Sequence, residues 1–274
     1  MTEPTPGVSR RTLLIAGLAG TAVAVAGAAY AVAPTRVRKL IGLGPDPYIP
    51  DVPEGRVELE SVHSQARGRD VDLFTAVPYG YGDGAGLPVV VVLHGASATA
   101  SRFQDLGLAR FVTAAVREGA DPFVLAGADG GALRWERDPE SGDDPQAMLV
   151  DELPGWLSDR GLDAERRAVW GWSMGGYGAL RLAESYPAYA RAVAAFSPAV
   201  SLSDSVFDDA DELAEQPLGV WCGTDDALYG NVRGFVAALP TDPVITSYSS
   251  GGHTYVYWNE HTVEALTFLA SRLT

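Results

Sequence analysis

The stretch AVWGWSMGGYGAL, residues 168–180, holds an apolar lead-in, a glycine-rich centre and a second apolar run. At its centre stands Gly171-x-Ser173-x-Gly175, the pattern of a nucleophile elbow, a sharp turn between a buried strand and a helix. In a chain with 31 glycines the pattern arises by chance in roughly one sequence in five. Its neighbours along the chain therefore decide whether Ser173 is a nucleophile or a small residue in a turn.

Upstream, LPVVVVLHG (residues 87–95) is a continuous β-branched run. Such a run fits a strand buried on both faces, as in a parallel sheet. Before it, RVELESVHSQ (56–65) and RDVDLFTAVP (69–78) alternate in period two around a polar turn at Ala66 to Gly68, the signature of an antiparallel hairpin. Helical periodicity is expected over Ser101 to Arg117, Pro145 to Leu157, Gly176 to Tyr186, Tyr229 to Leu239 and Tyr257 to Leu273. Strands are expected at Phe123 to Ala126, Arg167 to Gly171, Arg191 to Phe196, Leu218 to Cys222 and Val244 to Tyr248. The alternation predicts an α/β fold: a mostly parallel sheet with an N-terminal antiparallel hairpin and helices on both faces.

In such a sheet, chemistry collects at the carboxyl ends of the strands. Ser173 follows the strand ending at Gly171, where the elbow requires it. A serine hydroxyl needs a base to become a nucleophile. Of the four histidines, His253 lies on a loop between the last strand and the last helix, behind Gly251-Gly252. It is the candidate base. His63 falls in the first hairpin, His94 at the end of the Val89 strand, and His261 inside the last helix, where solvent is expected around it. The base needs an acid to fix its tautomer. VWCGTDDALY (220–229) supplies Asp225 and Asp226; adjacent side chains diverge, so one of the two is expected to face His253. The amide of Met174, which opens the helix after Ser173, and that of Ala96, after Gly95, are candidate oxyanion donors. In the long loop Gly127 to Asp144, Trp135 is the candidate substrate contact. The acidic stretch between Phe196 and Leu218 is too short for a large cap domain.

These motifs together resemble the putative-esterase family of α/β-hydrolases, which includes S-formylglutathione hydrolases, enterochelin and feruloyl esterases and the antigen 85 mycolyltransferases. The resemblance rests on GWSMGGYGAL, DELPGWL (151–157), CGTDD and GGHTYVYW, in the family's order across Arg56 to Thr274. It implies an α/β-hydrolase fold and a Ser173, His253, Asp226 triad, since relatives commonly carry the acid in G-T-x-D. It also implies oxyanion amides at Ala96 and Met174. The antigen 85 members place a glutamate where this chain has aspartate, which weakens a mycolyltransferase reading.

The formal net charge of −15 disfavours nucleic acid as a partner. A single cysteine, Cys222, excludes an internal disulfide. Residues 1–33 carry SRRTLL before an uncharged run from Leu13 to Ala33, the form of a twin-arginine export signal. Two readings stand for residues 13–33: a cleaved signal, engaged by the twin-arginine translocase, or a retained membrane anchor. Either way the protein is expected outside the cytoplasm, secreted or held at the cell envelope. Pro34 to Gly55, with five prolines, reads as a linker, and residues 56–274 as the esterase domain.

The expected function is an exported serine esterase acting on a small-molecule, lipid or sugar ester, with neither cofactor nor metal. An acyltransferase passing the acyl group to a sugar or alcohol shares the first half-reaction. A catalytically silent surface binding module on the same fold is the third reading.

Overall fold

The computed structural model describes residues 45–96 and 98–274. The twin-arginine stretch, the run from Leu13 to Ala33 and the start of the linker lie outside the described residues. Eight strands form one sheet in the order β1-β2-β4-β3-β5-β6-β7-β8. β1 (Val57–Ser64) and β2 (Arg69–Ala76) pair antiparallel, and β2 also runs antiparallel to β4 (Val124–Ala128). From β4 onward all pairs are parallel: β3 (Pro88–Leu93), β5 (Asp163–Trp172), β6 (Val193–Phe196), β7 (Leu218–Gly223) and β8 (Ile245–Ser249).

The valine run explains why β3 is central. Val89, Val91 and Leu93 pack into one face of the sheet, and Val90 and Val92 into the other. All five are fully buried, each worth about 1.5–3 kcal/mol relative to exposure. Helices α1 (Leu108–Arg117) and α5 (Tyr255–Ala270) cover one face. Helices α2 (Leu153–Ser158), α3 (Met174–Ser185) and α4 (Tyr229–Ala238) cover the other. β1 closes one edge, where half-buried Glu58 and exposed Glu60 discourage further strand pairing.

Two local features depart from the periodicity. The helix expected over Ser101 to Arg117 breaks at Gly107, whose φ of 71° is left-handed. A Cβ there would fall 2.6 Å from the Ile49 side chain, so the break makes room for the segment read as linker. Its described part, residues 45–55, touches the domain through Tyr48 and Ile49. Tyr48 meets Phe111 edge to face at 6.2 Å, and its carbonyl accepts from Asn259 Nδ2 at 2.8 Å. The compact unit runs from Pro45 to Thr274. Among the described residues no helix is long and apolar enough to cross a membrane.

Candidate active site

Ser173 sits between β5 and α3 with φ 56° and ψ −119°, a conformation that costs a non-glycine residue about 1–3 kcal/mol. Its surroundings hold it there. Its N–H donates to the Phe196 carbonyl at 2.8 Å, and its carbonyl accepts from Tyr177 N and Ala199 N. The glycines of the motif are required by close approach. A Cβ on Gly171 would lie 2.2 Å from the Gly175 carbonyl oxygen, and one on Gly175 would lie 2.0 Å from that of Leu93. The start of α3 is thus pressed onto the end of β3, beside the loop that carries Ala96.

His253 lies on the loop between β8 and α5. Its Nε2 is 2.9 Å from Ser173 Oγ and its Nδ1 is 2.8 Å from Asp226 Oδ2. A carboxylate is acceptor-only, so Nδ1 carries the proton and Nε2 accepts from the serine hydroxyl. The imidazole rests edge to face on Trp258, centroids 4.9 Å apart.

Asp226 follows β7 and its side chain is wholly buried. Burial alone would raise the carboxyl, but hydrogen bonds and charge from His253, with further bonds from Leu228 N and Ser197, hold it below its ordinary range. Asp226 is therefore the aspartate that faces the histidine. Asp225 points elsewhere and accepts from Ser250 Oγ and Gly251 N at 3.4 and 3.3 Å.

The loop after β3 is set by His94, which is fully buried. Its Nε2 accepts from Gly130 N at 2.9 Å, so its Nδ1–H donates to the Gly95 carbonyl at 2.8 Å. Burial holds the ring's basicity below its ordinary value, consistent with that neutral tautomer. In a trans peptide the N–H points opposite to the C=O. Anchoring the Gly95 carbonyl therefore also orients the Ala96 N–H. Met174 N belongs to the first turn of α3, where amides have no partner within the helix.

Trp135 does not line a pocket. It is fully buried, its Nε1–H donates to the His94 carbonyl at 3.1 Å, and its ring lies 4.9 Å from the His94 ring. The expectation of a substrate contact is corrected: the indole's large apolar surface is spent under the β3 loop. The half-buried residue beside it is Arg134, which pairs with Asp204 at 2.8 Å, donates to the Ala199 carbonyl and stacks 3.9 Å over Tyr177. Asp209 of the same acidic stretch pairs with Arg181. His261, expected in solvent, is mostly buried against the Tyr257 ring with Nε2 3.1 Å from Ser249 Oγ. α5 turns this position toward β8 rather than outward. His63 is exposed and pairs with Asp70.

Sequence reasoning missed Trp258, which supports the His253 ring, and Ser197, whose Oγ accepts from Trp258 Nε1–H at 3.0 Å. Trp258 stood in the quoted GGHTYVYW motif without a role. Ser197 follows β6 and precedes a proline, and nothing in its residue type marks its backbone as left-handed.

The family model described as "putative esterase" matches residues 64–234, a span that includes Ser173 and Asp226 and ends before His253. No curated protein matches the sequence. Among solved structures, a ferulic acid esterase superposes with a TM-score of 0.71 at 20% identity, covering 81% of this chain and 99% of its own. The S-formylglutathione hydrolase of Agrobacterium tumefaciens gives 0.68 at 17%, with 83% and 99% covered. A fluorophosphonate-binding serine hydrolase of Staphylococcus aureus gives 0.65 at 19%, with 80% and 99% covered. These likenesses establish the shared fold.

Proposed function

Because the chain belongs to the putative-esterase family and is a hydrolase of carboxylic esters, we propose that it works as an exported serine esterase through Ser173, His253 and Asp226. The observation that carries the reading is the unbroken chain of contacts Ser173 Oγ to His253 Nε2 and His253 Nδ1 to Asp226 Oδ2, at 2.9 and 2.8 Å.

Ser173 Oγ attacks the ester carbonyl as its proton passes to His253 Nε2. Asp226, buried and ionised, stabilises the imidazolium and keeps Nδ1 protonated. Charge gathers on the former carbonyl oxygen, where the Ala96 and Met174 amides receive it. Each preset donor is worth about 3 kcal/mol in the transition state. Collapse breaks the bond to the alcohol, which leaves with the proton from His253. Water then attacks the acyl-enzyme with His253 as base, and the acid departs. An alcohol or sugar in place of that water gives the acyltransferase outcome through the same groups.

Export is supported by SRRTLL and the uncharged run from Leu13 to Ala33. Fusion of residues 1–55 to a reporter that is active only when exported folded tests it; loss of export on Arg10→Lys with Arg11→Lys is the expected result. The enzymatic reading is tested by p-nitrophenyl ester turnover across acyl lengths. Wild type is expected to turn over and Ser173→Ala to be inert. Equal turnover by the two proteins overturns the assignment of Ser173. Adding sugar or alcohol acceptors to the same assay reports hydrolysis against transfer.

A further inference from the structure

Four non-glycine residues among those described have positive φ, and two of them are consecutive: Arg134 at 55° and Trp135 at 62°. Such backbone is unfavourable outside glycine and persists only where its surroundings over-determine it. Here the two neighbouring side chains part. Trp135 goes beneath the β3 loop, where its Nε1–H meets the His94 carbonyl at 3.1 Å. Arg134 reaches α3 and the loop after β6.

The Ser173 carbonyl accepts from two amides, Tyr177 N at 3.0 Å and Ala199 N at 2.9 Å. Arg134 touches both residues that supply them. Its guanidinium carbon lies 3.9 Å from the centroid of the Tyr177 ring, and its Nη2–H donates to the Ala199 carbonyl at 3.1 Å. Asp204 holds the guanidinium by two bonds, Nη1 to Oδ1 at 3.2 Å and Nη2 to Oδ2 at 2.8 Å. Asp204 Oδ2 also accepts from Ser201 N at 2.7 Å, so this carboxylate ties down the same loop that carries Ala199. A planar guanidinium meets a carboxylate by two bonds, a carbonyl and a ring face together; a lysine ammonium is a point charge without that fork.

The Ser173 carbonyl matters for what shares its peptide. That C=O and the Met174 N–H belong to one planar trans unit, in which they point in opposite directions. Fixing the carbonyl therefore fixes the direction of the Met174 N–H.

Resting on the triad and oxyanion reading above, we propose that Arg134 is a positioning residue for the Met174 N–H. It holds the two residues whose amides grip the Ser173 carbonyl, and so aims the donor at the charge that gathers in the transition state. His94 serves the Ala96 N–H by the same geometry, through the Gly95 carbonyl. Arg134 acts on the charged tetrahedral state and leaves ground-state binding of the ester alone.

The test compares wild type, Ser173→Ala, Arg134→Ala, Arg134→Lys and Asp204→Asn. Readouts are thermal midpoint, kcat and KM on a neutral and an anionic p-nitrophenyl ester, and inhibition by a small trifluoromethyl ketone, whose tetrahedral adduct with a serine carries an oxyanion. Arg134→Ala keeps the left-handed backbone and removes the guanidinium. It is expected to lower kcat and to weaken the ketone by the same factor, about tenfold, a fraction of the about 10²–10³ that follows outright loss of a donor. KM is expected to stay unchanged on both esters. Arg134→Lys keeps a cation for Asp204 and is expected to hold the wild-type thermal midpoint while losing most of that tenfold. Asp204→Asn keeps an acceptor for Ser201 N and is expected to fall between wild type and Arg134→Ala. Wild-type kcat and ketone inhibition in both Arg134 variants overturn the proposal. A rise in KM confined to the anionic ester also overturns it and makes Arg134 a substrate contact, as does a fall in kcat with ketone inhibition unchanged, which leaves Arg134 a structural role only. An inert wild type, or an active Ser173→Ala, would instead refute the triad reading itself.

Discussion

Asp225 and Gly251 are joined twice. The Asp225 N–H donates to the Gly251 carbonyl at 2.9 Å, and the Asp225 carboxylate accepts from the Gly251 N–H at 3.3 Å. Gly223 packs so closely there that a Cβ would lie 2.0 Å from the Gly251 oxygen. The loop carrying the acid and the loop carrying the histidine are thus one unit. Adjacent aspartates divide the work: Asp225 ties the loops and Asp226 meets the imidazole.

Asp226→Asn is therefore expected to lower kcat by about 10³–10⁴, because an amide no longer enforces the reactive tautomer of His253. Asp225→Asn keeps an acceptor oxygen for Gly251 N and is expected to cost about tenfold or less. Steady-state kinetics of the two variants checks this, and a larger loss at Asp225 would reverse the assignment.

Strain at the elbow predicts opposite signs for stability and activity. Ser173→Gly removes the non-glycine cost at φ 56° and should stabilise the fold by about 1 kcal/mol while abolishing turnover. Gly175→Ala places a methyl against the Leu93 carbonyl and should destabilise by more than about 3 kcal/mol. Urea unfolding of both variants reads the two signs directly.

Trp135→Phe tests the corrected role of that residue. The lost bond to the His94 carbonyl should cost about 1 kcal/mol of stability. KM across a series of acyl and alcohol groups should stay flat, since the ring never reaches substrate. A variant with altered substrate preference would restore Trp135 to the pocket wall.

Glu184 on α3 gives a pH signature. Burial pushes its carboxyl up to about 8, against the hydrogen bond and charge of Arg181 at 2.6 Å. Unfolded, the same group titrates near 4.3. Between those values the native state holds the extra proton, so this group's contribution is full at low pH and is lost as pH rises toward 8. Glu184→Gln should flatten the decline in unfolding free energy between about pH 5 and 8. Identical slopes for the two proteins would show that Glu184 stays ionised.

Much of this was legible in the residues. A valine run unbroken by polar residues means burial on two faces, and G-x-S-x-G between a strand and a helix means an elbow. Both readings follow from local pattern. The sheet order was not legible, because β2 beside β4 is a choice among distant strands that no local pattern encodes. Nor was the break at Gly107, since both halves of that segment share one amphipathic stripe and Ile49 comes from far away in sequence. Trp135 was misplaced because an aromatic in a loop suits a pocket wall and a buried brace equally. Ser197 was invisible: a left-handed serine is a property of its surroundings, written in Phe196, Trp221 and Trp258.

Ser173 as the acyl-carrying nucleophile has a direct chemical consequence. Peptide mapping of the purified protein after fluorophosphonate treatment tests it most directly. A single adduct on Ser173 is expected, formed far more slowly when His253 is replaced by alanine. An adduct on another residue, or none while ester turnover persists, would contradict it.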